Sequence, residues 1–142
     1  MDLSPEEQSD ELIQAFDEQV VSLSKMKQYK EAFVLLVNNF LLESDITGIA
    51  KQWAAHFAGE MLYLMEDFER SYNYLLQSHD INTNINHDFG LARNEYMLGA
   101  IWDIFYGDML EANRHYNKSI QLYSGVGFKK GVEQVKKRLK KI

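Results

Sequence analysis

The chain holds four histidines, and two of them stand four residues from a glutamate: His56 with Glu60, and His115 with Glu111. On a helix that spacing sets an acid beside a base, which can serve proton transfer but far more often makes an ordinary pair of neighbours. No histidine falls into a His-Glu-x-x-His or Glu-x-x-His pattern, so no metal is expected. The stretch "DINTNINHD" carries oxygen-bearing side chains at 80, 82, 84, 86 and 88. A calcium loop also needs glycine at its sixth position and glutamate at its twelfth; Ile85 and Leu91 stand there instead. A capping loop is the expectation, with His87 or Asp88 as N-cap of the next helix. No nucleophile motif, phosphate-cradling glycine loop or dinucleotide fingerprint occurs, so neither a cofactor nor catalysis is expected. An all-α enzyme would have to draw on His56, Glu60 or Asp103.

Asp103 is the one charge in "YMLGAIWDIFY", residues 96 to 106. Buried without a partner it would be costly, so it either faces a binding surface or is paired, and pairing is the expectation. Trp53 and Trp102 are read first as core and second as platforms for a docking partner, a role tryptophan favours.

The elements that position these residues follow from composition and spacing. The 142 residues make one domain, 1–142, large enough to bury a core without help. There is no cysteine, a single proline at position 5, and 46% hydrophobic residues, which excludes disorder. No apolar run approaches the length of a membrane span, and the acidic start "MDLSPEEQSDEL" lacks the form of a secretory signal. A cytoplasmic protein with no membrane contact is expected. Of the fifteen Lys/Arg, seven lie in residues 129–142 beside a single Glu; the rest carries eight cations against twenty anions, a net −12. An acidic body repels phosphate backbones, so no nucleic acid is expected as partner.

Apolar residues recur at threes and fours throughout, and no segment alternates, which predicts an all-α chain. Ser4-Pro5-Glu6-Glu7 is a helix start, with serine as N-cap, proline at the first helical position and a glutamate completing a capping box. Breaks are expected at 43–48, 78–88, 106–108 and 123–128, with softer ones near Gln28 and Asp67, making seven helices.

The pattern repeats. Met109, Ala112, Tyr116 and Ile120 match Phe68, Ser71, Leu75 and His79 at an offset of 41, and these match Tyr29, Ala32, Leu36 and Phe40 at 39. "GIAK" at 48–51 matches "GLAR" at 90–93. Two helices per period of about 40 residues predict an α-solenoid of about three antiparallel helical hairpins, over 7–43, 46–80 and 88–123. A capping helix over 128–142 has Val132, Val135, Leu139 and Ile142 on one face. The helices containing 53–65 and 96–106 are apolar nearly all round and are expected inside. Gly59, Gly99 and Ala100 mark close helix approach, since a mid-helix glycine costs about 1 kcal/mol against alanine.

"GDMLEANRHYNKSIQLY" resembles the second half of the tetratricopeptide repeat, with Gly107-Asp108 at the turn, Ala112 at the small position and Tyr116 at the aromatic one. Tyr96, Gly99-Ala100 and Trp102 resemble the first half with the register slipped by one. The period resembles the long variant of kinesin light chains and of bacterial peptide-sensing regulators. What the resemblance implies is a right-handed solenoid that binds a protein or peptide partner in a groove lined by inner helices. The groove positions taken for this chain are Gln52, His56, Glu60, Tyr63, Asn94, Trp102 and Asp103. The lysine-asparagine clamp of the chaperone-binding subset is missing. A non-catalytic adaptor that could form a homodimer is the expectation; a small acidic chaperone or a peptide-sensing regulatory domain is the alternative, ahead of an all-α enzyme.

Overall fold

The computed structural model describes residues 3–141, and among them every regular element is helical. The order is α1 (Pro5–Lys25), α2 (Tyr29–Leu36) running into a π-helical turn (Val37–Leu41), α3 (Gly48–Leu64), α4 (Phe68–Asn84), α5 (Asp88–Ile104), α6 (Met109–Gly125) and α7 (Lys129–Lys136). The described residues form two compact units, one up to Ile81 and one from Asn82, so the division falls inside α4.

The start of α1 is the expected serine cap, with the Glu7 carboxylate turned to the Ser4 hydroxyl. The Ser4 hydroxyl accepts the Glu7 amide at 3.1 Å and donates to the Glu7 carboxylate at 3.2 Å. Four of the connections share one solution. The N–H groups of Gln28, Asp67, His87 and Phe128 each donate to a carbonyl five residues back: Leu23, Leu62, Asn82 and Tyr123. Before each lies a residue in the left-handed region: Lys27 (φ 58), Glu66 (φ 62), Asn86 (φ 56) and Gly127 (φ 74). This is the Schellman ending, which satisfies the last carbonyls of one helix and aims the next. The remaining two connections are longer: residues 42–47, between the π-turn and α3, and residues 105–108, between α5 and α6.

In the first unit Val20, Leu36, Phe40, Ala50, Trp53, Ala54 and Ala58 make the core. Phe40 links it, edge-on to Phe16 at 5.2 Å and tilted against Trp53 at 5.2 Å. The π-turn was not legible in the sequence and explains a register change. Ser78 and Ser119, seven residues beyond Ser71 and Ala112, are fully buried, whereas Asn39, seven beyond Ala32, is exposed and Phe40 is buried instead. A π-turn spreads one extra residue over a turn, so the position one later swings inward.

Two expected boundaries are corrected. The polar stretch from 78 is not a loop: α4 continues to Asn84, because Ser78 and Asn82 turn inward and find buried partners. The Ser78 hydroxyl donates to the Gln52 carbonyl at 2.8 Å, and the Asn82 amide donates to Asn94 Oδ1 at 2.8 Å. Residues 80, 82 and 84 are therefore helical and spread around an axis, which removes the calcium-loop geometry. The cap helix ends at Lys136, not at 142; Ile142, expected on its apolar face, lies outside the described residues.

The expected close approaches are present, and they recur. A β-carbon on Gly59 would sit 2.9 Å from Leu75 Cγ and 3.1 Å from the Ser71 carbonyl. One on Gly99 would sit 2.6 Å from Tyr116 Cε1 and 3.2 Å from the Ala112 carbonyl. One on Gly90 would meet Asn82 and His87, and one on Gly131 would meet Tyr123 and Phe128, the same contacts shifted by 41 residues. α3 on α4 and α5 on α6 thus meet by the same rule within their units.

Gly99→Ala should lower stability by about 1–3 kcal/mol, the usual cost of overpacking. Gly125→Ala, helical and open, should raise it by roughly 0.5–1 kcal/mol. Urea unfolding of the two variants checks the pair. By the same measurement Glu66→Gly should gain ~0.5–1 kcal/mol, because glycine bears no β-carbon penalty at positive φ.

Candidate functional site

The seven residues assigned to a groove separate by burial. Gln52 is 1% exposed, His56 3% and Asn94 0%. All three are closed to a partner. The apolar surroundings that make a polar side chain conspicuous in the sequence are, in the structure, the core that encloses it. Asn94 accepts from Asn82, and His56 Nε2 lies 3.6 Å from Glu60 Oε2 while its ring stands edge-on to Phe57. Glu60, Tyr63, Trp102 and Asp103 do reach the surface in part. Tyr63 packs edge-on against Phe68, and the Trp102 indole lies over Tyr106 at 4.5 Å between centroids. The Trp102 N–H is buried with no acceptor among the described residues.

Asp103 has the partner that its burial required. Its side chain is 11% exposed and accepts the Lys140 ammonium at 2.9 Å. The Tyr116 hydroxyl also points to it, at 3.5 Å. Lys140 comes from the non-helical segment after α7, and Asn113 on α6 holds that segment by its main chain. Asn113 Nδ2 donates to the Lys140 carbonyl and the Lys140 amide donates to Asn113 Oδ1, both at 2.8 Å. Two residues earlier the Arg138 guanidinium lies 5.7 Å over the Tyr96 ring, within cation–π range. Leu139 packs on the cluster of Ala92, Ala112, Tyr116, Tyr123 and Val135.

A second polar junction joins α5 to α6. His115 Nδ1 meets the Glu95 carboxylate at 2.5 Å, and its Nε2 is 3.6 Å from Glu111. Glu95 is 5% exposed, so this contact satisfies a buried charge. Glu95 was missed in the sequence, because its twenty-residue separation from His115 leaves no local signal. His56 with Glu60, and His115 with Glu111, keep the expected neighbour geometry. Among the described residues no three His, Cys, Asp or Glu side chains gather to hold a metal, and no helix is long and apolar enough to cross a membrane.

The most conspicuous surface is the turn between α5 and α6. Ile104, Phe105, Tyr106, Met109 and Leu110 are all 43% exposed or more, Leu110 reaching 69%. Gly107 and Asp108 between them were legible as a turn, and a turn lies at the surface; the exposure of its apolar flanks follows from that.

His87 is the N-cap of α5, accepting the Gly90 amide on Nδ1 at 3.1 Å. Burial, and then the Arg93 charge, push its pKa below the ordinary value, against a smaller opposing pull from Asp88. The unfolded chain therefore takes up the proton first. The stability this cap confers is whole above about pH 6.5 and is lost as pH falls from there through the lower folded value. His87→Asn, which caps without titrating in this range, should flatten the fall of Tm below pH 6.5; thermal unfolding across pH 5–8 checks it.

No protein-family profile, no curated protein and no solved structure matches the chain.

Proposed function

We propose that the chain is a tetratricopeptide-like α-solenoid of about three antiparallel hairpins and a cap, and that it acts as a non-catalytic adaptor for a protein or peptide. The 40- to 41-residue recurrence of the glycine contacts, Gly59 on Leu75 and Gly99 on Tyr116, supports the repeat reading. One observation carries the binding reading: five large apolar side chains exposed together over residues 104–110. Contiguous exposed apolar surface is held at a cost in solubility and marks a place where something docks. Trp102 and Asp103 immediately precede this stretch and reach the surface beside it. The chemistry of adaptor binding asks for exposed apolar anchors, and these five side chains supply them.

The reading is tested by cross-linking the tagged chain in its native cell and identifying captured proteins, for the native chain and for Phe105→Ser/Leu110→Ser. Both positions are exposed, so circular dichroism should be unchanged, while capture of the specific partner should fall at least tenfold. A partner retained in full by the double variant, or a small molecule captured with no protein, would overturn it.

A further inference from the structure

Of the polar contacts in the second unit, those to residues 138–140 are of a particular kind: they read an irregular segment of chain by its main chain. The Asn113 side-chain amide donates to the C=O and accepts from the N–H of a single residue, Lys140. That pairing recognises a backbone whatever its side chain. Side-chain selection comes from two flanking positions. Asp103, largely enclosed, takes the ammonium at 2.9 Å, and the Tyr96 ring takes the guanidinium two residues earlier. Between them Leu139 faces the apolar cluster.

The geometry points to a peptide seat on α5 and α6 for a basic, non-helical segment of the form Arg-apolar-Lys, filled here in cis by Arg138-Leu139-Lys140 and open to the same chemistry on a partner. This deepens the adaptor reading and rests on it. The residues that make the seat belong to helices whose packing does not need the segment: Tyr116 is fully buried against Gly99, and Ser119 donates to the Ala92 carbonyl at 2.7 Å. The segment lies beyond the end of α7 and is held by side chains of α5 and α6. Lys140 keeps 37% of its side chain exposed, so the segment meets solvent along one side and can be displaced from there. A ligand of the same chemistry can therefore compete for the seat. The seat also adjoins the apolar turn, since Asp103 is followed directly by Ile104, Phe105 and Tyr106.

The test uses the full chain and a fluorescein-labelled hexapeptide of sequence KKRLKK, with the scrambled LKKRKK reporting mere attraction to an acidic protein. Anisotropy should show weak binding to the native chain and at least tenfold tighter binding to Arg138→Glu/Lys140→Glu, in which the cis segment is repelled from Asp103. Adding Asn113→Leu should reduce the affinity to that of the scrambled peptide. In the native chain, saturating KKRLKK should speed hydrogen exchange of the Lys140 amide at least fivefold, a readout that holds even if the double variant folds poorly. Equal binding of the two peptides, indifference to Asn113→Leu, or an unchanged Lys140 amide would overturn the seat. A seat that fails while capture still depends on Phe105 and Leu110 removes only the basic-peptide assignment. A capture that fails while KKRLKK binds removes the apolar turn as the partner's anchor.

Discussion

At Gly59 and Gly99 the missing β-carbon lets a neighbouring helix come so near that a methyl group would lie within 3 Å of Leu75 or Tyr116. Main-chain carbonyls, normally sheathed by side chains, then come within reach of hydroxyls on the facing helix. Ser71 donates to the Gly59 carbonyl at 2.6 Å, Ser78 to that of Gln52 at 2.8 Å, and Ser119 to that of Ala92 at 2.7 Å. Each bond contributes about 1 kcal/mol net and removes a hydroxyl that would be costly to bury unpaired. Small residues and buried serines are therefore one device, used on α4 and again on α6. Rings do the rest: Tyr116 fills the space over Gly99 and sends its hydroxyl to Asp103, which holds Lys140.

Much of that was legible in the sequence, for a physical reason. Helical spacing and the small positions Ser71 and Ala112 are local properties, and an offset of 41 between them survives whatever the surroundings. Gly59 and Gly99 declared themselves because a glycine in mid-helix has a cost that something must offset. The polar run from Ser78 to Asn84 misled, since polarity marks a loop only if the side chains meet water; here Ser78 and Asn82 are sealed against Gln52 and Asn94. The π-turn left no trace either, because Val37–Leu41 has the composition of any apolar helix and the shift is decided by how Phe40 fits between Phe16 and Trp53.

The site divides along the same line. Gln52, His56 and Asn94 stood out as polar residues on apolar helices, and a groove and an enclosed hydrogen bond leave the same mark on a sequence. Asp103 was read correctly as needing a partner, but that partner, Lys140, lies 37 positions away and no pattern links the two. Nothing in the local sequence around Asn113 marks it. Its role exists only because a distant stretch of main chain passes within 3 Å of it.

Four of the connections are three-residue Schellman endings, with no slack to lose or gain, and each couples the direction of one helix to the next. The stretch Leu42–Thr47 is different. It has left the π-turn and not yet begun α3, its first four residues are exposed, and only Ile46 packs on the core. An insertion near Ser44 would disturb no helix ending and no close approach, whereas the same insertion at residue 66 or 86 would change the angle at which a helix is delivered. The stretch 42–47 is thus a seam where foreign sequence can be spliced without turning the helices on either side of it.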